Sequence, residues 1–407
     1  MRRLGFLGLL TSLICLVLGC AHDTQHADRE QVSTPADDRG NQADVASARI
    51  APTQEIGSVE TVAYFNGPMP TGVTVSHSGR IFVSYPKWGD PVKFTVAEVK
   101  EGQAVAYPSE PYNTYNPVDP SRSLVSVQSV VIDARDRLWL LDTGSTNMGT
   151  VIPGAAKLVC VDLQSGQVIK TITFPPTVVF PTSYINDVRF DLTRGGEGMA
   201  FITDSSAMGP NGIIVVDLAS QKSWRRLNNH PSTKPEPQFS ASVEGKPLTG
   251  PKMGSDGIAI SSDGSQLFYC PLSGRHLYSV SVDALVDQKR SDREVGDTVQ
   301  DLGDRGFASD GLESDSQGRL YLTDYEHNAI RLRDTGGTYS IIASNSKIIW
   351  PDTLCVTSDH YLYFTNNQLN RMGRMNNGID ERKPPYTLMR VKIDGTPIMR
   401  GGNAGRD

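Results

Sequence analysis

The 407-residue sequence has little of what marks several large functional classes. Basic residues form no stripe. The 39 Lys and Arg stand against 45 Asp and Glu, for a formal net charge of -6, which argues against nucleic acid as a partner. Beyond the first twenty residues no apolar run is long enough to span a bilayer. No GxSxG, HExxH or P-loop pattern occurs, so hydrolase and nucleotide chemistries of those types lack their residues. Cysteine is scarce, and Cys160, Cys270 and Cys355 lack the CxxC spacing of a thiolate metal site. Three buried free thiols, or one disulfide and one free thiol, both fit that odd number.

What is present begins with a targeting signal. Arg2 and Arg3 precede an apolar stretch over 4–18, too short for a membrane span and of the length of a secretory signal. The sequence "LVLGC" that closes it resembles a bacterial lipobox, with Cys20 as the lipidated residue; the alternative is a plain signal peptide cut nearby. Residues 1–19 are therefore expected to be a lipoprotein-type signal and 20–57 a flexible polar tether. The chain would be exported, held in the periplasm or at the cell surface, and touch the membrane through the lipid alone.

From there one pattern recurs six times. A small or polar residue leads into an apolar alternation, a tight turn and a second strand. The six are "PTGVTVSHSGRIFVSYP" (70–86), "VQSVVIDARDRLWLLDTG" (127–144), "INDVRFDLTRGGEGMAFITDSS" (185–206), "SDGIAISSDGSQLFYCPL" (255–272), "SDGLESDSQGRLYLTDY" (309–325) and "PDTLCVTSDHYLYFTNN" (351–367). Their anchors are Val73, Val130, Val188, Ile258, Leu312 and Leu354. Turn residues such as those of "HSGR" and "SQGR" suit chain reversal. Plentiful glycine (38) and proline (25) with short Val-, Ile- and Tyr-rich segments predict an all-β chain. The predicted fold is a six-bladed β-propeller of four-stranded blades over 58–400, followed by a tail over 401–407. The strand "VETVAYF" near the start is expected to pair with "TLMRVKI" near the end and close the ring. The Pro- and Asn-rich insert over 227–254 reads as a long loop across one face.

In a propeller the inner strands line the axis, so the residues just before each anchor converge on one mouth. These are Thr71, Gln128 and Ser129, Asn186 and Asp187, Ser255 and Asp256, Ser309 and Asp310, and Asp352. Several carboxylates gathered together bind a cation or keep protons through raised pKa values. Asp256, Asp310 and Asp352 are the candidate acid/base residues. Gln128, Asn186, Asp187, Ser255, Ser309 and Trp350 are candidate ligand contacts. The competing account is that these side chains cap strand starts. Asp142, Asp204 and Asp324, recurring after second strands, fit such a structural role better. His276 and His327 read as turn or surface residues.

The segments "DRLWLLDTG", "SDGSQLFYCPLSGRHLYSV", "SDGLESDSQGRLYLTDYEHNAI" and "WPDTLCVTSDHYLYFTNN" resemble the major royal jelly protein/yellow family. That resemblance implies a six-bladed propeller with a small-molecule ligand in its axial pocket, and in some members a dopachrome-type tautomerisation. More distantly, "INDVRFD", "SDGIAIS" and "SDGLESD" resemble the senescence-marker protein/gluconolactonase propellers. That second resemblance implies a divalent cation such as Ca²⁺ held by Asn186, Asp256 and Asp310, and lactone hydrolysis. Thr71 stands where that family's first-blade Glu would be. A non-catalytic binding scaffold is the third expectation.

Overall fold

The computed structural model describes residues 55–401. The expectations for the signal segment, Cys20, most of the tether and the last six residues lie outside the described residues.

Six four-stranded antiparallel sheets are arranged as a propeller. Blade 1 runs Val73–Val75, Ile81–Ser84, Val96–Lys100, Gln103–Ala106. Blade 2 runs Val127–Ile132, Arg137–Asp142, Lys157–Asp162, Val168–Thr173. Blade 3 runs Ile185–Asp191, Met199–Asp204, Gly212–Asp217, Ser223–Arg226. Blade 4 runs Ser255–Ile260, Gln266–Pro271, His276–Ser281, Gln300–Asp304. Blade 5 runs Leu312–Ser314, Leu320–Asp324, Ala329–Arg333, Tyr339–Ser344. Blade 6 takes Pro351–Val356, Tyr361–Asn366 and Tyr386–Lys392 from the end of the chain and its outermost strand, Val59–Phe65, from the start. Val59 pairs with Val391 and Phe65 with Tyr386, so the ring is closed by hydrogen bonds between chain ends, as the sequence predicts.

In five of the six blades the first turn places one residue in the left-handed region. Gly79, Gly264 and Gly318 do so at no steric cost, and Asp136 and His360 occupy the matching position in blades 2 and 6. Apolar side chains of adjacent blades interlock between sheets. Trp139, Leu141, Cys160, Ile202, Ile214 and Val216, for example, bury one another between blades 2 and 3. Cys160, Cys270 and Cys355 are free, buried thiols, and burial pushes the first and last up to about 12, so all three act as small apolar core residues.

The recurring aspartates after the second strands hold loops to strands. Asp142 accepts the backbone N–H groups of Val125, Ser126 and Gly144 and forms a fully buried pair with Lys157 at 2.7 Å. Asp204 accepts from Tyr184 N, Ser183 Oγ and Arg225, and Asp324 from His327 and Arg331. His276 pairs with half-exposed Asp301.

At the axis the inner strands approach backbone to backbone. A Cβ on Gly257 would lie 2.2 Å from the carbonyl oxygen of Asp310, and one on Gly311 2.2 Å from that of Asp352. Gly311 N donates to Asp352 O at 2.8 Å. Hydroxyls of second strands bridge to the next inner strand: Ser84 Oγ donates to Gln128 O, Thr203 Oγ1 to Asp256 O and Thr365 Oγ1 to Thr71 O. Gly311→Ala therefore puts a methyl against main chain that no rotamer change can relieve. It is expected to cost at least about 2 kcal/mol or to prevent folding, whereas exposed Gly67, with open space around its Cβ position, should tolerate Ala within about 0.5 kcal/mol. Urea unfolding of the two variants checks this; equal midpoints would contradict it.

Candidate functional site

The starts of the inner strands meet at one mouth of the axis, around a cavity of ≈ 30 Å³, room for a water or two. Gln128, Asn186, Asp256, Asp310 and Asp352 line it. All five were candidates from the repeat alone, and they come from blades 2, 3, 4, 5 and 6. Two constraints bring them together: the common register of the inner strands and the glycines after Asp256 and Asp310, which let neighbouring backbones close up.

Most of the polar groups are held. Trp350 Nε1 donates to Asp310 Oδ2 at 2.7 Å, and its ring lies flat on Tyr325 with centroids 4.1 Å apart. Asn367 Nδ2 donates to Asp352 Oδ2 at 2.6 Å and Thr353 Oγ1 to Asp352 Oδ1 at 3.0 Å. Asn186 Nδ2 donates to Ser205 Oγ. Trp88 Nε1 donates to Tyr184 OH at 2.7 Å, so the Tyr184 proton goes to Gln128 Oε1 at 2.8 Å. That fixes the amide of Gln128 with Nε2 free of protein partners among the described residues.

The other candidates stand behind the cavity wall or away from it. Ser309 Oγ is spent on Thr323 O, Ser255 is fully buried, and Trp350 is a support for Asp310 rather than a lining group. Asp187 accepts from Ser129 Oγ at 2.6 Å and pairs with Arg189 at 3.0 Å. Arg189 also reaches Leu312 O and Glu313 and lines the opposite mouth of the channel.

The cover over the cavity was not legible in the repeat. Met148, Met253, Met372 and Met375, with Trp88 and Arg374, are among the residues that cover it. They sit on loops outside the repeated strands, where no periodicity singles them out. The run "RMGRM" over 371–375 was the one available signal. Two cover residues, Pro251 and Met253, come from the insert expected to cross one face.

Electrostatics follow from burial. Burial first, and then the charges of Asp352 and Asp187, raise Asp256 well above the carboxylate range. Burial, Asp352 and Asp256 do the same to Asp310. Burial brings Asp352 up to about 7, against the hydrogen bonds from Thr353 and Asn367. All three carboxyls are thus pushed toward keeping their protons, Asp352 up to about 7.

As arranged, the donors do not form a ready divalent-metal site. Among the described residues no three of His, Cys, Asp and Glu stand close enough to share an ion. Thr71, at the first-blade position, spends its hydroxyl on Ser84 and Gln128 O. Asp310 and Asp352 are each already engaged by neutral donors.

A proton held only in the folded state links stability to pH. Because Asp352 is raised, the folded chain binds the extra proton between about pH 4 and 7. The stability of the wild type relative to Asp352→Asn should fall by a few kcal/mol across that window and level off above it. Denaturation across pH 4–8 measures it; a difference independent of pH would show that Asp352 titrates normally.

Comparison with known proteins adds kinship. Residues 125–397 match the family model described as major royal jelly protein. Protein yellow of Drosophila guanche is 27% identical over 317 residues, covering 74% of this chain and 53% of that protein. Protein yellow of Drosophila melanogaster is 27% identical over 270 residues, covering 60% and 48%. The chain spans about half the length of these curated relatives. Among solved structures, a calcium-binding protein, regucalcin, from Agrobacterium tumefaciens superposes with a TM-score of 0.50 at 12% identity, covering 84% of this chain and 98% of that one. A luciferin-regenerating enzyme gives 0.51 at 10%, covering 84% and 97%. A gluconolactonase from Xanthomonas campestris gives 0.50 at 11%, covering 84% and 94%. At those identities the structural likeness speaks for the fold alone. The family model, matched over more than half of the chain, is decisive: the chain belongs to the major royal jelly protein family.

Proposed function

We propose that the axial mouth binds a small flat molecule and exchanges protons with it, a tautomerisation of the dopachrome-conversion type. The observation that carries the proposal is the set of three buried carboxyls, two raised well above their ordinary range and one at about 7. A general base works best with a pKa near the working pH, and a general acid must still hold its proton there. Asp352 is suited to take a proton from a carbon next to a carbonyl. Asp310 or Asp256 is suited to give one to the carbonyl oxygen. One C–H bond breaks, one O–H bond forms, and the product is an isomer of the substrate. Gln128 Nε2 and Asn186 would orient the ring. The small cavity requires the methionine cover to move aside on binding, which the flexible, polarisable side chains of Met148 and Met372 suit.

A Ca²⁺-dependent lactonase is less favoured, because Asp310 is already engaged by Trp350 and the first-blade position holds Thr71, whose hydroxyl is spent on Ser84 and Gln128 O. The binding-scaffold alternative shares the pocket without turnover. The N-terminal sequence supports export with a lipid on Cys20. Cys20→Ala should then move the chain from the membrane to the soluble fraction, and unchanged partitioning would argue for a plain signal peptide.

Asp310→Asn, with folding matched by circular dichroism, should lower dopachrome turnover at least about 100-fold. Unchanged affinity and turnover would remove Asp310 from the site. Thermal melting with ligands separates the alternatives. Stabilisation by catechols or aromatic amines supports the pocket, and stabilisation by Ca²⁺ alone would favour the lactonase.

A further inference from the structure

Beside the axial cavity lies a second, open depression of ≈ 310 Å³. Met148, Tyr184, Pro251, Met253 and Arg374 line both spaces, so these five side chains form the partition between an outer vestibule and the acid-lined mouth. Four of the five offer mainly apolar surface. The fifth is a guanidinium.

Several basic residues elsewhere on this face are paired. Arg371 is bound to Glu244, Lys246 to Glu381, and Arg382 to both Asp90 and Asp380. Arg374 is not: among the described residues it meets no carboxylate, and its one hydrogen bond is from a terminal nitrogen to the carbonyl of Asn147 at 2.8 Å. The side chain is solvent-exposed and borders both spaces. At the axis Asp310 and Asp352 are held by partners of their own.

The arm that carries Arg374 is fixed in place. Thr249 donates through both N and Oγ1 to Met375 O, and a Cβ on Gly250 would fall 2.1 Å from Met375 Sδ. The insert over 227–254 thus clamps the arm over the mouth, and Asn147 O holds the guanidinium at its edge.

We infer that Arg374 recognises an anionic group on the ligand, so that the substrate class is a flat aromatic or quinonoid carboxylate rather than a simple amine. The carboxylate would take the free side of the guanidinium fork in the vestibule, the pairing geometry for which arginine is suited. The ring would lie between the methionines and Tyr184, with its oxygen substituents directed to the aspartates. This inference rests on the proposed small-molecule pocket and deepens it. Arg374 sets specificity and carries no proton-transfer role.

The test compares two probes that differ in one charge, 3,4-dihydroxyphenylalanine and its methyl ester, titrated calorimetrically into the full chain. The wild type should prefer the acid by about tenfold or more, as a charge-assisted pair gives. Arg374→Gln should abolish the preference by weakening the acid alone, and Arg374→Lys should restore part of it. Raised salt should weaken the acid more than the ester. Equal binding of acid and ester to the wild type, or equal weakening of both by Arg374→Gln, would overturn the inference and leave the pocket standing. Binding of neither probe would overturn both the inference and the pocket.

Discussion

Six inner strands must share one axis, and their close packing there governs the rest of the molecule. The contact is main chain against main chain: the space a Cβ would need at Gly257 and Gly311 is filled by the carbonyl oxygens of Asp310 and Asp352. Because the backbones cannot move apart, the residue just before each glycine has one direction left for its side chain, into the mouth. The sequence "SDG", present at 255–257 and 309–311, is thus a steric device and a chemical one at once. The glycine permits the approach and the aspartate profits from it.

That convergence is electrostatically costly. Three carboxyls brought into a dry, narrow space cannot all ionise, and the surroundings supply neutral donors rather than cations: Trp350, Asn367, Thr353. The one nearby guanidinium on the inner strands, Arg189, is taken by Asp187 and Glu313 toward the other mouth. Protons remain as a means of relief, and the proposed acid/base chemistry rests on them. The contrast with Asp142 is instructive. It is equally buried, yet Lys157 and three backbone N–H groups satisfy it, and it serves the fold.

Repetition made the architecture and the acidic mouth readable. The anchor positions fix the register, and the register puts Gln128, Asn186, Asp256, Asp310 and Asp352 on one ring. The pairing of the first and last strands followed from there being one unpaired strand at each end. Register alone could not separate Asp352 from Ser255 or Asp187, because irregularities in the strand pairing at Pro351/Leu354, Ser255/Ile258 and Ile185/Val188 redirect side chains locally. Nor could it reveal Trp88, Tyr184 or the methionine cover. Those residues lie on connections, and what brings them to the axis is the path of long loops, for which a single sequence carries no periodic signal.

The central claim is that the mouth holds protonated carboxyls at neutral pH, and infrared spectroscopy sees them directly. A difference spectrum at pH 7 between the wild type and Asp310→Asn should contain the carbonyl stretch of an un-ionised carboxylic acid, absent from the variant. A spectrum showing only the loss of an ionised carboxylate would contradict the account, for the mouth would then be a cluster of anions needing a cation after all.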